Sequence, residues 1–240
     1  KNERALDYSF QPKVIPYREG EMRQIAAAMK PLFQKRNGRN LFVYGPSGVG
    51  KTAAVRHLIQ ELEEQTEEIV PFYINCWTKD SPFKMLLEMC DVVGYKFTQN
   101  KRTDELFGIV KGLISKKAAV FVFDEVDKLE DIDVIYNLIE EVYNKSIILV
   151  TNYKDWLDEL DSRIRSRLMP EMLEFRPYNL SETRGILKQR MEYAFAANVF
   201  DEDAFEHVVQ KTFSLGNIRS GLYLMKEAAL IAEDRAAKKV

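Results

Sequence analysis

Gly45-Pro46-Ser47-Gly48-Val49-Gly50-Lys51-Thr52 places glycines, a lysine and a hydroxyl in the spacing GxxxxGK[ST]. Glycines let a backbone wrap closely around an anion. A lysine at that point reaches the outer phosphates of a nucleoside triphosphate, and the adjoining hydroxyl can ligate magnesium. Pro46, Ser47, Gly48, Val49, Gly50, Lys51 and Thr52 are therefore candidate nucleotide-binding residues, with Thr52 also a candidate metal ligand. The apolar β-type run Leu41–Tyr44 precedes the loop, and Val55 and Leu58 open a helical period after it. That context aims backbone N–H groups and a helix N-terminus at the phosphates. A glycine-rich turn with a chance lysine would not need the strand before it and the helix after it.

A second apolar run, Val120–Phe123, ends in Asp124 and Glu125. A buried parallel strand would deliver Asp124 to its C-terminal edge beside the loop, as a candidate magnesium ligand with Thr52. Glu125 would then polarise an attacking water, which favours a hydrolase over a small-molecule kinase. On their own, two acids could simply stabilise the start of a following helix. Ile147–Val150 leads to Thr151 and Asn152, whose amide could orient the same water, or whose turn propensity could merely end the strand.

Two arginine groups complete the candidate set. In the helical phase of Asp161–Leu168, the preceding Leu160 falls on one face with Ile164 and Leu168, and Arg163 and Arg167 fall on another. Two arginines four residues apart repel slightly, which suggests a task for them. The task inferred is an arginine finger reaching a neighbouring subunit's ATP, Arg167 being the finger and Arg163 its support, against the alternative of solvated or salt-bridged surface arginines. Arg219 lies in the first turn of a helix that Asn217 can cap, on the unfavourable side of the helix dipole. A bound triphosphate would supply the missing negative charge, so Arg219 reads as a sensor tying the helical domain to the nucleotide state, against the alternative of an ordinary exposed arginine, since the dipole penalty is small.

The elements needed to hold these residues are legible as alternating patterns. Strands are predicted at Leu41–Tyr44, Val70–Asn75, Ala119–Phe123, Ile147–Thr151 and Met172–Phe175. Between them run amphipathic helices marked by Val55, Leu58, Ile59 and Leu62, and by Leu106, Ile109, Val110, Leu113 and Ile114. Ser81-Pro82 should start another helix reaching about Asp91, with the serine as cap. The pattern predicts an α/β fold: a parallel P-loop sheet flanked by helices over 1–176, then a small all-α lid over 177–240. The lid helices are expected at Ser181–Ala197, Asp201–Thr212 and Asn217–Ala237.

Bulk composition narrows the classes. The 240 residues are 46% hydrophobic and 30% charged, with a net charge of −2, so nucleic acid could be held only by a local patch. Cys76, Cys90, His57 and His207 lack the spacing of a zinc site. No apolar run approaches a bilayer span and no signal peptide is read, so a soluble, cytoplasmic protein without membrane contact is expected.

Taken together, these residues resemble AAA+ ATPases, and more narrowly the archaeal origin-recognition and helicase-loading initiators. The narrower likeness rests on Val14-Ile15-Pro16-Tyr17-Arg18-Glu19, Asp124-Glu125-Val126-Asp127-Lys128-Leu129, Leu160–Ser166, Phe175-Arg176-Pro177-Tyr178 and the Arg219 helix. It implies an adenine pocket lined by Ile15, Pro16 and Tyr17, with Tyr178 and Ile218 nearby. It further implies ATP or ADP bound with Mg2+ between the α/β domain and the lid, slow and assembly-dependent hydrolysis, and self-association through the Arg163/Arg167 face. Duplex DNA and a replicative helicase are the implied macromolecular partners.

The helical insertion at 78–117 would be the part that touches DNA. It holds eight Lys or Arg against five Asp or Glu, although a solvated hairpin accounts for that charge equally well. The family's winged-helix domain, its main DNA reader, is expected to be lacking from these 240 residues, and Asn217 stands where aspartate is common. The competing reading is a regulatory or adaptor AAA+ ATPase acting on protein partners without DNA. A signalling NTPase of the STAND group ranks last, since that group tends to carry arginine where Asn152 stands. A transposition-type ATPase that coats DNA is a variant of the initiator reading.

Overall fold

The structure is a computed structural model describing residues 2–7, 10, 12, 14–196 and 199–237, the last by its backbone alone. The described residues fall into two compact units: those of Lys1–Arg18 with Pro46–Gly50 and Arg176–Val240, and those of Glu19–Gly45 with Lys51–Phe175.

The second unit is built on five strands, β1 (Leu41–Tyr44), β2 (Ile69–Asn75), β3 (Ala118–Asp124), β4 (Lys145–Thr151) and β5 (Glu171–Glu174). They form one sheet in the order β2-β3-β4-β1-β5, and every pairing is parallel. Covered on both faces, β3 is buried along its whole length, which is why Ala119–Phe123 carries no polar alternation. Pro71, which cannot donate to a ladder, is tolerated because β2 is an edge strand. All five predicted strands are present, β5 beginning and ending one residue earlier than expected.

The helices of this unit are α1 (Glu19–Met29), α2 (Lys51–Gln65), α3 (Pro82–Val92), α4 (Thr103–Ile114), α5 (Asp133–Glu141), α6 (Trp156–Glu159) and α7 (Ser162–Leu168). In α2 the buried set includes Val55, Leu58, Ile59 and Leu62, as the period requires. In α4 the buried stripe is Leu106, Phe107, Val110 and Ile114, while Leu113 faces solvent, so the expected phase is corrected by about one position. The helices α3 and α4 fill the 78–117 segment, and their inner faces, including Met85, Leu86, Met89 and Val110, join the main core. The segment is therefore a pair of helices packed on each other and, by their inner faces, on the core. Ser81 holds the N-cap position of α3 with Pro82 behind it, but its side chain makes no capping bond.

The first unit contains α8 (Leu180–Ala194), α9 (Glu202–Leu215) and α10 (Ile218–Ala237), the three helices expected of the lid, together with a 3-10 turn at Glu3–Leu6. Ala197, the end expected for the first lid helix, lies outside the described residues. Asn179 and Glu182 form a reciprocal capping box at the start of α8, and Asp201 caps α9 by accepting from the Ala204 N–H. Ala5 and Leu6 of the turn share a core with Leu187, Ala194, Phe205, Val209, Leu222 and Met225. Arg190 fastens the same segment by donating to the Asp7 carbonyl (2.9 Å) and the Phe10 carbonyl (3.2 Å). Among the described residues, no helix is long and apolar enough to cross a membrane.

Candidate nucleotide-binding site

Parallel strands present their C-terminal ends on one edge, and in this sheet that edge collects the candidate phosphate, metal and water residues. The strand β1 lies between β4 and β5, with β3 beyond β4. The loop after β1 leads to Lys51 and Thr52 at the start of α2, Asn152 follows β4, and Asp124 ends β3. Lys51, only 6% exposed, donates from Nζ to the Gly45 carbonyl (2.7 Å) and to Asn152 Oδ1 (2.8 Å). Both acceptors are neutral, so neither cancels the ammonium charge that a phosphate would meet.

Thr52 Oγ1 donates to Asp124 Oδ2 at 2.8 Å. A hydroxyl and a carboxylate side by side are the hard oxygen donors that magnesium takes along with phosphate oxygens and water, so these residues fit the ion. Asp124 is buried, and its second oxygen accepts the Glu125 N–H (3.1 Å).

Glu125 has φ 57° and ψ 45°, the left-handed region that favours glycine. Such a conformation costs roughly 1–3 kcal/mol and persists where the surroundings over-determine it. Here its N–H is held by Asp124 and its carbonyl by the Lys128 N–H (3.0 Å). The segment after β3 is tied to β4 as well: Thr151 Oγ1 donates to Asp127 Oδ1 (2.7 Å), and Lys128 Nζ lies 2.8 Å from Asp127 Oδ2.

Sequence reading missed one member of this set. The Tyr73 phenol donates to Asp124 Oδ2, and the Arg56 guanidinium lies 4.4 Å above its ring. Burial, and then the Asp124 charge, push the phenol far above its ordinary range and keep it a donor to that carboxylate. The available signal was a hydroxyl-bearing aromatic two residues before Asn75, which pairs with Asp124 across β2 and β3. Cys76 follows on the same edge, its thiol pushed up by burial and then by Asp124, Asp127 and Glu125.

The remaining candidates belong to the first unit. Ile15 is buried, Pro16 half-buried, and Tyr17 exposed with φ 63°. The Tyr17 hydroxyl rests where a β-carbon on Gly185 of α8 would be. The Tyr178 hydroxyl stands 2.6 Å from the position of a β-carbon on Gly50, and a β-carbon on Gly48 would collide with Asn217 Oδ1. Both glycines have positive φ, +80° at Gly48 and +91° at Gly50. Asn217 caps α10 by accepting the Arg219 N–H at 2.9 Å. The Arg219 side chain is exposed, and its guanidinium has no hydrogen bond or ion pair with another described residue. Ile218 is half-buried and packs on the lid core.

The loop glycines give a direct test. Gly48→Ala imposes the left-handed penalty and displaces Asn217 together, and such strain is worth roughly 1–3 kcal/mol. Affinity for a fluorescent ADP analogue should fall by about tenfold or more, while the chain stays folded with an unfolding temperature lowered by about 2–4 °C per kcal/mol of strain. An unaltered titration would remove Gly48 from the binding loop.

The arginines of α7 do not stand unneutralised, as their spacing had suggested. Arg167 is ion-paired to Glu140 of α5, Arg165 to Asp158 (3.1 Å) and Arg163 to Asp161 (3.9 Å), and all three arginines are exposed. Mutual repulsion of Arg163 and Arg167 is offset locally, so their spacing alone requires no further task.

With this geometry in place, the comparisons are direct. A family profile for the AAA domain matches residues 34–169, more than half of the chain. The chain belongs to the AAA+ family. A second profile, the Cdc6 AAA+ ATPase-type lid domain, matches residues 184–240. The AAA+ chain is 31% identical to ORC1-type DNA replication protein 1 of Sulfurisphaera tokodaii, over all of its own length and 64% of the relative. It superposes on the Aeropyrum pernix ORC1 protein, solved in complex with DNA, with TM-score 0.87 and 27% identity, covering 98% of this chain and 65% of that one. The fold extends to domain III of the Thermotoga maritima initiation protein DnaA, at TM-score 0.66 and 17% identity, covering 94% of this chain and 88% of that one. This AAA+ chain thus spans a little under two thirds of the ORC1-type proteins it matches. An AAA+ fold is a nucleotide-binding fold.

Proposed function

We propose that this chain is a Mg-ATP-dependent switch that hydrolyses ATP to ADP and phosphate and works in DNA replication initiation by binding duplex DNA and a replicative helicase. The observation that carries the nucleotide half is the joined set Lys51, Thr52, Asp124 and Asn152 on one sheet edge. Lys51 moves its donors from Gly45 and Asn152 to the outer phosphates, which frees the Asn152 amide to orient water. Magnesium, held by Thr52 and Asp124, would offset charge on the phosphate oxygens. Glu125 accepts a proton from the attacking water, its backbone already locked by Asp124 and Lys128. Ile15, Pro16, Tyr17, Tyr178 and Ile218 are assigned to the adenine and Arg219 to the γ-phosphate.

Arg167 is assigned to the site of a neighbouring subunit, with Arg163 in support. It must first leave Glu140, so turnover would be slow until subunits assemble. Arginine fingers supply about 10³–10⁵ in rate in other P-loop enzymes.

The DNA half rests on likeness to ORC1-type replication proteins, one of them solved with DNA. The 78–117 segment offers Lys79, Lys84, Lys96, Lys101 and Arg102, each ion-paired to a carboxylate in the protein. Such solvent-facing pairs are worth about 0–1 kcal/mol and can be exchanged for phosphate contacts.

Anisotropy of labelled duplex DNA, titrated with Glu125→Gln protein in ATP and in ADP at two salt concentrations, should show tighter binding with one nucleotide. Four phosphate contacts would give a log–log salt slope of about −3.6. Absence of binding in both states would refute direct DNA contact by these 240 residues and favour the adaptor reading, in which the partner is a protein.

A further inference from the structure

Arg18 is an arginine with no exposed surface, and its guanidinium bonds backbone carbonyls and lies over an aromatic ring. Nε donates to the Val49 carbonyl at 3.0 Å, Nη2 donates to the Arg176 carbonyl at 2.5 Å, and the guanidinium carbon lies 4.0 Å above the Tyr178 ring. Burying a charged side chain is costly unless its hydrogen bonds are met, so this arrangement marks a constrained site. Its partners include one phosphate-loop residue and two residues of the Arg176-Pro177-Tyr178 segment, and its charge also acts on the Glu182 carboxylate.

The Val49 carbonyl and the Gly50 N–H lie on opposite edges of one planar trans peptide. Holding the carbonyl in place therefore sets the direction of the N–H. The Tyr178 hydroxyl closes on Gly50 from its own side, 2.6 Å from where a β-carbon would stand. The Val49–Gly50 peptide is thus fixed by two residues that also hold each other. Arg176 is fixed in turn by two hydrogen bonds to the Glu182 carboxylate (2.8 and 2.5 Å) at the start of α8.

We propose that Arg18 is a positioning residue for nucleotide binding: it presets the Gly50 N–H of the phosphate loop and couples that peptide to the 176–178 segment. This rests on the nucleotide reading of the loop given above. Arg18 touches no phosphate itself. It acts by fixing one backbone donor before the anion arrives, so its removal weakens nucleotide affinity rather than the chemical step. Lysine is no substitute, because a compact tetrahedral ammonium lacks the planar fork that reaches two carbonyls from separate nitrogens while stacking on an aromatic ring.

Arg190 provides a matched control. It is likewise buried, donates to two backbone carbonyls, Asp7 and Phe10, and lies 4.7 Å over the Phe10 ring, but it touches nothing in the loop. The experiment is calorimetric titration of ADP and of Mg-ATP into wild type, Arg18→Ala, Arg18→Lys and Arg190→Ala, with unfolding temperatures alongside. Arg18→Gln serves if the alanine variant fails to fold.

Both Arg18→Ala and Arg18→Lys should bind at least about tenfold more weakly, the loss expected for hydrogen bonds to a charged group. Arg190→Ala should lose stability while keeping wild-type affinity. Low millimolar guanidinium should restore part of the affinity in Arg18→Ala and do nothing for Arg190→Ala. Wild-type affinity in Arg18→Ala, an equal loss in Arg190→Ala, or a full rescue by lysine overturns the assignment. A wild-type chain that binds no nucleotide overturns the nucleotide reading and this one together, whereas a binding wild type matched by Arg18→Ala overturns only the role of Arg18.

Discussion

Replacing Glu125 with glutamine is expected to leave Mg-ATP affinity within about threefold of wild type while phosphate release falls by about 10²–10⁴, the usual contribution of a positioned general base. The amide is isosteric with the carboxylate, so the left-handed backbone at φ 57°, the hydrogen bond donated to Asp124 and the one accepted from Lys128 are retained. What is lost is the proton acceptor. The split is diagnostic because the proposed phosphate and magnesium ligands differ from the proposed proton acceptor: Lys51 and Thr52 are joined to Asn152 and Asp124, and Glu125 takes part in neither pair. Single-turnover hydrolysis measured beside equilibrium titration checks it. Phosphate release at the wild-type rate would take Glu125 out of the mechanism.

Lys51→Ala should act on the other half. The ammonium is almost wholly buried and already bonded to Gly45 and Asn152, so it is held in place before any phosphate binds. Each hydrogen bond from a charged donor to phosphate is worth about 1.5–3 kcal/mol, and two of them correspond to roughly 10²–10⁴ in affinity. Removing the lysine also leaves the Gly45 carbonyl and Asn152 Oδ1 without that donor, at about 1–3 kcal/mol for each if no water replaces it. Lys51→Met keeps the volume and separates the two effects, since it fills the space without restoring the charge. Circular dichroism should report a folded variant, and calorimetry should report no Mg-ATP heat at concentrations that saturate wild type. A folded Lys51 variant that still binds Mg-ATP tightly would refute the reading of the loop.

Local pattern accounted for much of this molecule. The run Val120–Phe123 could be read as a strand buried on both faces because no residue in it tolerates water, and β3 is buried throughout. The loop Gly45–Thr52 was legible because its chemistry and its flanking elements are contiguous in the chain. Asn217 was read as a cap from its position and does cap α10. The α4 phase was harder, since Phe107 and Leu113 both extend its apolar pattern and only packing chooses between them.

Interactions between distant residues were not open to that reading. Tyr73 and Asp124 are 51 residues apart, and Arg18 and Arg176 are 158 apart. Nothing in the spelling of a strand names the strand beside it, so a tyrosine in β2 declared no tie to the acid ending β3. Nor does a lone arginine in Pro16-Tyr17-Arg18-Glu19 declare that it will be buried rather than solvated. The surface arginines taught the converse: a helical wheel placed Arg163 and Arg167 near each other, but Glu140 on α5 and Asp161 decide their electrostatics.

By itself, then, the sequence determined the alternation of strands and helices, the place of the Gly45–Thr52 motif between β1 and α2, and which acids and amide stand at the ends of β3 and β4. These follow from periodicity and from chemistry within a few consecutive residues. The tertiary structure alone decided that Lys51 meets Asn152, that Thr52 and Tyr73 share one oxygen of Asp124, and that Arg18 holds Val49. Those pairings depend on strand order and on the crossings between strands. They arise only when the whole chain buries its apolar faces together.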